Sequence, residues 1–140
     1  PWFIVDRNPE ESRLIKLARE VNLDKTKWVI KKVKEKVSEL NNELKRKPKI
    51  ACLGLSFKPN IDDLRESPAL EIAYELQKDG HNIFVVEPNI LNHNDFELIE
   101  IEDALTTCDI FVVLVKHDQF LEFNNNDKFK NLHVLNFCGL

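Results

Sequence analysis

Methionine is absent from the 140 residues, and only three glycines and three cysteines occur. Each shortage excludes something. A chain without methionine at position 1 has been processed or cut from a longer one, so a fragment is expected. Gly54, Gly80 and Gly139 are too dispersed to form the close glycine turn through which backbone approaches a pyrophosphate. Backbone capture of a dinucleotide is therefore not expected here. Cys52, Cys108 and Cys138 fit no zinc spacing and stand among apolar residues, which suits buried free thiols in a reducing cytoplasm. His81, His93, His117 and His133 show no ligand spacing either, so no metal site is expected. No apolar run approaches the roughly 18 residues that cross a bilayer. The opening Pro1 to Asp6 lacks the basic flank of a signal peptide.

What is present has the balance of an ordinary folded domain, with 43% hydrophobic and 31% charged residues. The net charge of −4 conceals an uneven distribution. From Lys25 to Lys49 ten Lys/Arg stand against three Glu, a local balance of +7. Such a stretch raises the question of nucleic acid. It lacks interleaved aromatics, and a solvated helix face accounts for it more simply, so no nucleic-acid partner is expected.

Periodicity divides the chain near residue 46. Asn8 as N-cap, Pro9 at the first helical position and Glu11 as the reciprocating carboxylate predict a helix start. Apolar residues then recur at helical spacing through Leu14, Leu17, Val21, Trp28, Val33, Val37 and Leu40, with an interruption or kink expected around Asn22-Leu23-Asp24. An amphipathic helix of this length needs a neighbour to cover its stripe. Trp28 is expected to serve interface packing. From residue 47 the pattern changes to short, continuous apolar runs: Ile50 to Leu55, Ile83 to Val86, Ile110 to Val115 and His133 to Phe137. Helical stretches alternate with them, one capped by Ser67 and stopped at Gly80, another from Ile101 to Cys108. Phe129 falls in a last helical or loop segment, and Asn124 to Asn126 read as loop. Alternating strands and helices with fully apolar strands predict an α/β fold: a Rossmann-like parallel sheet covered by helices, preceded by a long amphipathic helical segment. The expected division is residues 1–46 for the helical segment and 47–140 for the Rossmann-like domain.

Strand-to-helix connections usually take about two to six residues. The segment Ser56 to Glu66 is about twice that, and it leaves the carboxyl end of the first strand, where open α/β sheets bind ligands. A surface insertion whose charges pair internally is the plain alternative. With one glycine in place, a phosphate would have to be held by side-chain cations, and the loop supplies Lys58 and Arg65. The helix start at Ser67 adds a modest favourable field for an anion.

Gly54-Leu55-Ser56-Phe57-Lys58-Pro59-Asn60-Ile61-Asp62-Asp63-Leu64-Arg65-Glu66-Ser67-Pro68-Ala69 resembles the signature G-L-x-F-K-P-x-x-D-D-x-R-E-S-P-A of the UDP-glucose/GDP-mannose dehydrogenase family. Val86-Glu87-Pro88 is similar to the family's strand-end Y-D-P, with Glu replacing Asp. Val115-Lys116-His117-Asp118-Gln119-Phe120 is similar to its T-x-H-x-x-F segment. The opening residues, with Ser12-Arg13-Leu14-Ile15 and Ala18-Arg19-Glu20-Val21-Asn22, resemble in particular the branch acting on UDP-N-acetylmannosamine. The resemblance implies a three-part, NAD-dependent enzyme that oxidises a UDP-sugar C6 alcohol to a carboxylate through a catalytic cysteine. It implies a homodimer paired through a long central helix, and a C-terminal domain that binds the UDP-sugar. Within this chain it assigns Phe57 and Lys58 to the substrate and Arg65 to NAD held mainly by another domain. The catalytic cysteine, the catalytic lysine and the NAD glycines are expected upstream of Pro1, so no catalytic residue is assigned here. The family's later substrate-binding arginine has no counterpart before Leu140.

The single residues have plainer readings as well. Asp62 and Asp63 suit loop-capping rather than acid–base work, and His117 suits a satisfied hydrogen-bonding role beside the cleft. Two further readings of the whole chain are a free-standing nucleotide-binding or regulatory module and a structural element assembled through its helix.

Overall fold

A computed structural model describes residues 2–124 and 132–139. The chain begins with a short helix α1 (Trp2–Arg7) and the 32-residue helix α2 (Arg13–Leu44). Strand β1 (Lys49–Leu53), helix α3 (Pro68–Lys78) and strand β2 (Asn82–Val86) follow, then α4 (Ile101–Thr107), β3 (Ile110–Val113), α5 (Asp118–Asn124) and β4 (His133–Asn136). The four strands form one parallel sheet in the order β2-β1-β3-β4. This is the α/β architecture expected.

Side chains of a strand alternate between faces, and β1 distributes its apolar run accordingly. Ile50 and Cys52 join a core with Val29, Val33, Val37 and Leu40 of α2 and Ile72, Ala73 and Leu76 of α3. Ala51 and Leu53 face the other way, against Ile101 and Ala104 of α4 and Phe120 of α5. Helices therefore cover both faces, which is why the central strands carry no polar face. Cys52 and Cys108 are buried free thiols, and Cys138 is half-buried. Burial pushes the thiol pKa of Cys52 up to about 12 and that of Cys108 up to about 11.

The entry into α2 departs from expectation. Pro9 has no N–H to give and ends α1 instead of opening a helix. Asn8 contributes its backbone carbonyl, which accepts from the Ser12 N–H at 3.0 Å and the Ser12 hydroxyl at 2.5 Å. The long helix starts at Arg13, and its position before the first turn, Ser12, makes no side-chain cap. The interruption expected at Asn22 to Asp24 is also absent, because neither proline nor glycine occurs anywhere within α2 to break its ladder. Helix α3 conforms. Ser67 Oγ accepts from the Leu70 N–H, Pro68 takes the first position, and Gly80 at φ +79° closes a Schellman turn through His81 N–H to Leu76 C=O at 3.1 Å.

Only the second half of α2 packs on the sheet. Leu14 is 79% exposed and Val21 60%, and Leu17 is likewise bare. Trp28 sets its ring edge-on to Phe137, centroids 5.6 Å apart, with Lys25 Nζ 4.5 Å from its own centroid. Arg46 joins the two parts with a bidentate pair to Asp109 at 2.7 Å for each bond. No helix among the described residues is long and apolar enough to cross a membrane. The segment around Phe129 and the residues Asn125 and Asn126 lie outside the described residues; Asn124 ends α5.

Candidate nucleotide site at the carboxyl edge of the sheet

From β1 the chain first crosses outward to β2 and later back to β3, so strand order reverses between β1 and β3. Crevices at such reversals, outside the carboxyl ends of the strands, are where open α/β sheets hold ligands. The loop from Gly54 to Ser67 leaves β1 at this point.

Its course is tied down at many places. Gly54 takes φ +86°, and its N–H reaches Val86 C=O at 2.9 Å. The next two amides, of Leu55 and Ser56, donate to Glu87 Oε2 at 2.7 and 3.1 Å. Phe57 N–H donates to Asp63 C=O at 2.8 Å, which closes the loop on itself. Ser67 ends it twice over, donating its hydroxyl to Leu55 C=O at 2.6 Å while capping α3. Asn60 occupies the left-handed region at φ 62°, which asparagine tolerates better than most residues.

Glu87 stands at the end of β2 with only 5% of its surface exposed. Burial opposes its ionisation, yet the hydrogen bonds from His117 and from the Leu55 and Asn89 amides outweigh it and bring the carboxyl pKa down to about 2. His117, just past β3, is fully buried, with Nε2 3.1 Å from Glu87 Oε2. The satisfied role expected for His117 is thus what it has.

The residues assigned by resemblance lie on the outer side of this loop. Lys58 is exposed, its Nζ 5.5 Å from the centroid of the neighbouring Phe57 ring. Phe57 is 48% exposed and borders a cavity of about 530 Å³ with Trp2, Leu23, Leu64 and Tyr74. Arg65 forms a bidentate pair with Asp63, Nε to Oδ1 at 2.9 Å and an amino nitrogen to Oδ2 at 2.7 Å. Side-chain and backbone hydrogen bonds from Arg65 lower the Asp63 carboxyl to about 2. Asp63 also accepts the Arg65 N–H at 2.9 Å, the loop-capping role expected of it. Phe57, Lys58 and Arg65 do not converge on one point: Lys58 and Arg65 lie outside the lining of the cavity that Phe57 borders. A second cavity, of about 500 Å³, opens past β2 between Pro88, Ile90, Leu98, Ile101 and Phe120. Among the described residues no three His, Cys, Asp or Glu side chains gather as a metal cluster.

Three residues of this edge escape a reading of the sequence: Glu87 as the hub, Asn89 bonded to it, and Asn60 bonded to His117. The available signal was a carboxylate ending a buried strand, which must find partners.

The UDP binding domain of the UDP-glucose/GDP-mannose dehydrogenase family matches residues 51–136. A UDP-N-acetyl-D-mannosamine dehydrogenase of Campylobacter jejuni is 45% identical over 146 residues, covering 99% of this chain and 33% of its own length. One of Escherichia coli (strain K12) is 47% identical over 137 residues, covering 91% and 32%. The chain thus spans about a third of the length of these curated relatives. A solved UDP-N-acetyl-mannosamine dehydrogenase from S. aureus superposes with a TM-score of 0.71 at 27% identity, over 86% of this chain and 27% of that one. A GDP-mannose dehydrogenase, at 17% identity and a TM-score of 0.70 over 96% of this chain and 32% of its own, shares the fold. By the signature loop, by the parallel sheet that carries it and by the match over residues 51–136, the chain belongs to the UDP-glucose/GDP-mannose dehydrogenase family.

Proposed function

We propose that this chain is the UDP-sugar-binding part of an NAD-dependent UDP-sugar 6-dehydrogenase, with UDP-N-acetyl-D-mannosamine as the sugar nucleotide oxidised to its uronic acid. Residues 47–140 form the nucleotide-binding domain and residues 1–46 the helical segment that pairs two copies. The observation that carries this reading is the pinned loop after β1, which presents Lys58 outward with no carboxylate among the described residues bonded to it. An ammonium held there meets a diphosphate with little reorganisation. Phe57 beside it offers an apolar face to the nucleotide.

Arg65, itself exposed, serves the NAD bound chiefly by a domain outside this chain, exchanging its partner Asp63 for a cofactor phosphate. NAD supplies the hydride acceptor when bound. The chain's own thiols do not serve as nucleophile. Cys52 and Cys108 are buried at the sheet and raised far from the thiolate form. Alone, the chain binds nucleotide weakly or not at all and catalyses nothing. The buried free thiols of Cys52 and Cys108 suit a cytoplasmic setting.

The test is an assay of the full-length protein with NAD against UDP-N-acetylmannosamine, UDP-N-acetylglucosamine and UDP-glucose. Turnover of the first is expected. A charged hydrogen bond contributes about 1.5–3 kcal/mol, so Lys58→Ala should raise the Michaelis constant roughly tenfold or more. Unchanged kinetics would remove Lys58 from the site.

A further inference from the structure

His117 carries more than its own satisfaction. The Asn60 N–H, a donor by necessity, lies 2.9 Å from Nδ1, so Nδ1 accepts and the ring proton sits on Nε2. Nε2 faces Glu87 Oε2 at 3.1 Å, the partner that holds this tautomer. The Asn89 amide nitrogen lies 2.9 Å from the same Nδ1 and 3.2 Å from Glu87 Oε1. Glu87 Oε1 also accepts the Asn89 N–H at 3.0 Å. The ends of β1, β2 and β3 thereby meet in one carboxylate–imidazole pair.

Lys58 lies between two anchors of that pair's neighbourhood. Its carbonyl accepts the Ser56 hydroxyl at 2.7 Å, and Ser56 Oγ is 3.4 Å from His117 Nε2. Two residues on, Asn60 is held by the imidazole through its N–H, and its side-chain oxygen accepts the Asp118 N–H at 3.0 Å. A surface loop could give these amides to water. Burying a carboxylate and an imidazole to hold them adds desolvation cost with little net stability. What the pair provides is one loop conformation.

Resting on the function proposed above, we infer that Glu87 and His117 are positioning residues for substrate binding: the imidazole holds Asn60, and so aims Lys58 at the diphosphate.

The two ends of the ring can be tested separately in the full-length dehydrogenase. His117→Asn keeps an acceptor near Nδ1 for Asn60. His117→Gln puts its amide near Nε2 and leaves the Asn60 N–H unpaired. Losing a part-buried hydrogen bond costs about 0.5–1.5 kcal/mol, so His117→Gln should raise the UDP-sugar Michaelis constant roughly two- to tenfold, with kcat changed by less than about twofold. His117→Asn should stay near the parent. In a Lys58→Ala background His117→Gln should add nothing, since there is no ammonium left to aim. Equal constants for the two His117 variants, or multiplying effects of His117→Gln and Lys58→Ala, would overturn the inference. If neither variant folds, amide hydrogen exchange in the unaltered enzyme decides. Slow exchange at Asn60 supports the clamp, and exchange at the free-peptide rate overturns it. Lys58→Ala without effect would bring down the functional reading and this inference together. A raised constant there with additive His117→Gln defeats the inference alone.

Discussion

A β-carbon placed on Gly54 would lie 2.5 Å from Val115 Cβ and 3.1 Å from the Val115 backbone nitrogen. Gly54 also holds φ +86°, where side chains are strained whatever the space. The contact is between the first residue after β1 and the chain just past β3, so it sets how closely the two sides of the crevice approach. Gly54→Ala should destabilise the fold by about 2–5 kcal/mol, the strain and the overpacking acting together. Urea unfolding measures this. A loss below about 1 kcal/mol would mean the crevice opens without resistance.

Acid should act through Glu87. Its carboxyl lies at about 2 in the folded chain against an ordinary 4.5. A depressed carboxylate contributes stability in full above its unfolded value and loses it as pH falls toward the folded one. Stability should therefore decline from about pH 4.5 to about pH 2, by roughly 3 kcal/mol at most from this group. Asp63, half-buried beside the exposed Arg65 and also lowered to about 2, titrates over the same window but is screened by solvent. Comparing urea unfolding of the parent and Glu87→Gln at pH 7 and pH 3 separates the two. The variant should be less stable at pH 7 and should lose less on acidification. Parallel losses would assign the acid limb elsewhere.

The sheet was legible because β1, β2 and β3 are short apolar runs, and the central strands β1 and β3, buried on both faces, have no other pattern to follow. The cap at Ser67 and the stop at Gly80 were legible for a similar reason: both act within a few residues of themselves. The start of α2 was not. Asn8 and Pro9 carry the composition of a helix cap, but what decides their role is α1 ahead of them, whose last turn Pro9 ends. The hub of the site was hidden by distance. Glu87 meets Leu55 across 32 positions and His117 across 30, and no local spacing announces contacts that two crossovers create. Lys58, Phe57 and Arg65 entered by resemblance to a family signature; physics alone marked the loop as overlong and its cations as available.

Helix α2 presents Leu14, Leu17 and Val21 at three- and four-residue spacing on a face no described element covers. Apolar side chains in one stripe on a helix of this length favour a second helix as cover. Self-association through this stripe should therefore appear in light scattering as a mass that rises with concentration to twice that of the chain. Leu17→Glu together with Val21→Glu should return the mass to that of one chain. Both residues are exposed in the single copy, so each change should alter its stability by no more than about 0.5 kcal/mol. That separates a lost interface from a damaged fold. A parent that stays at the mass of one chain at every concentration would end helix-mediated pairing.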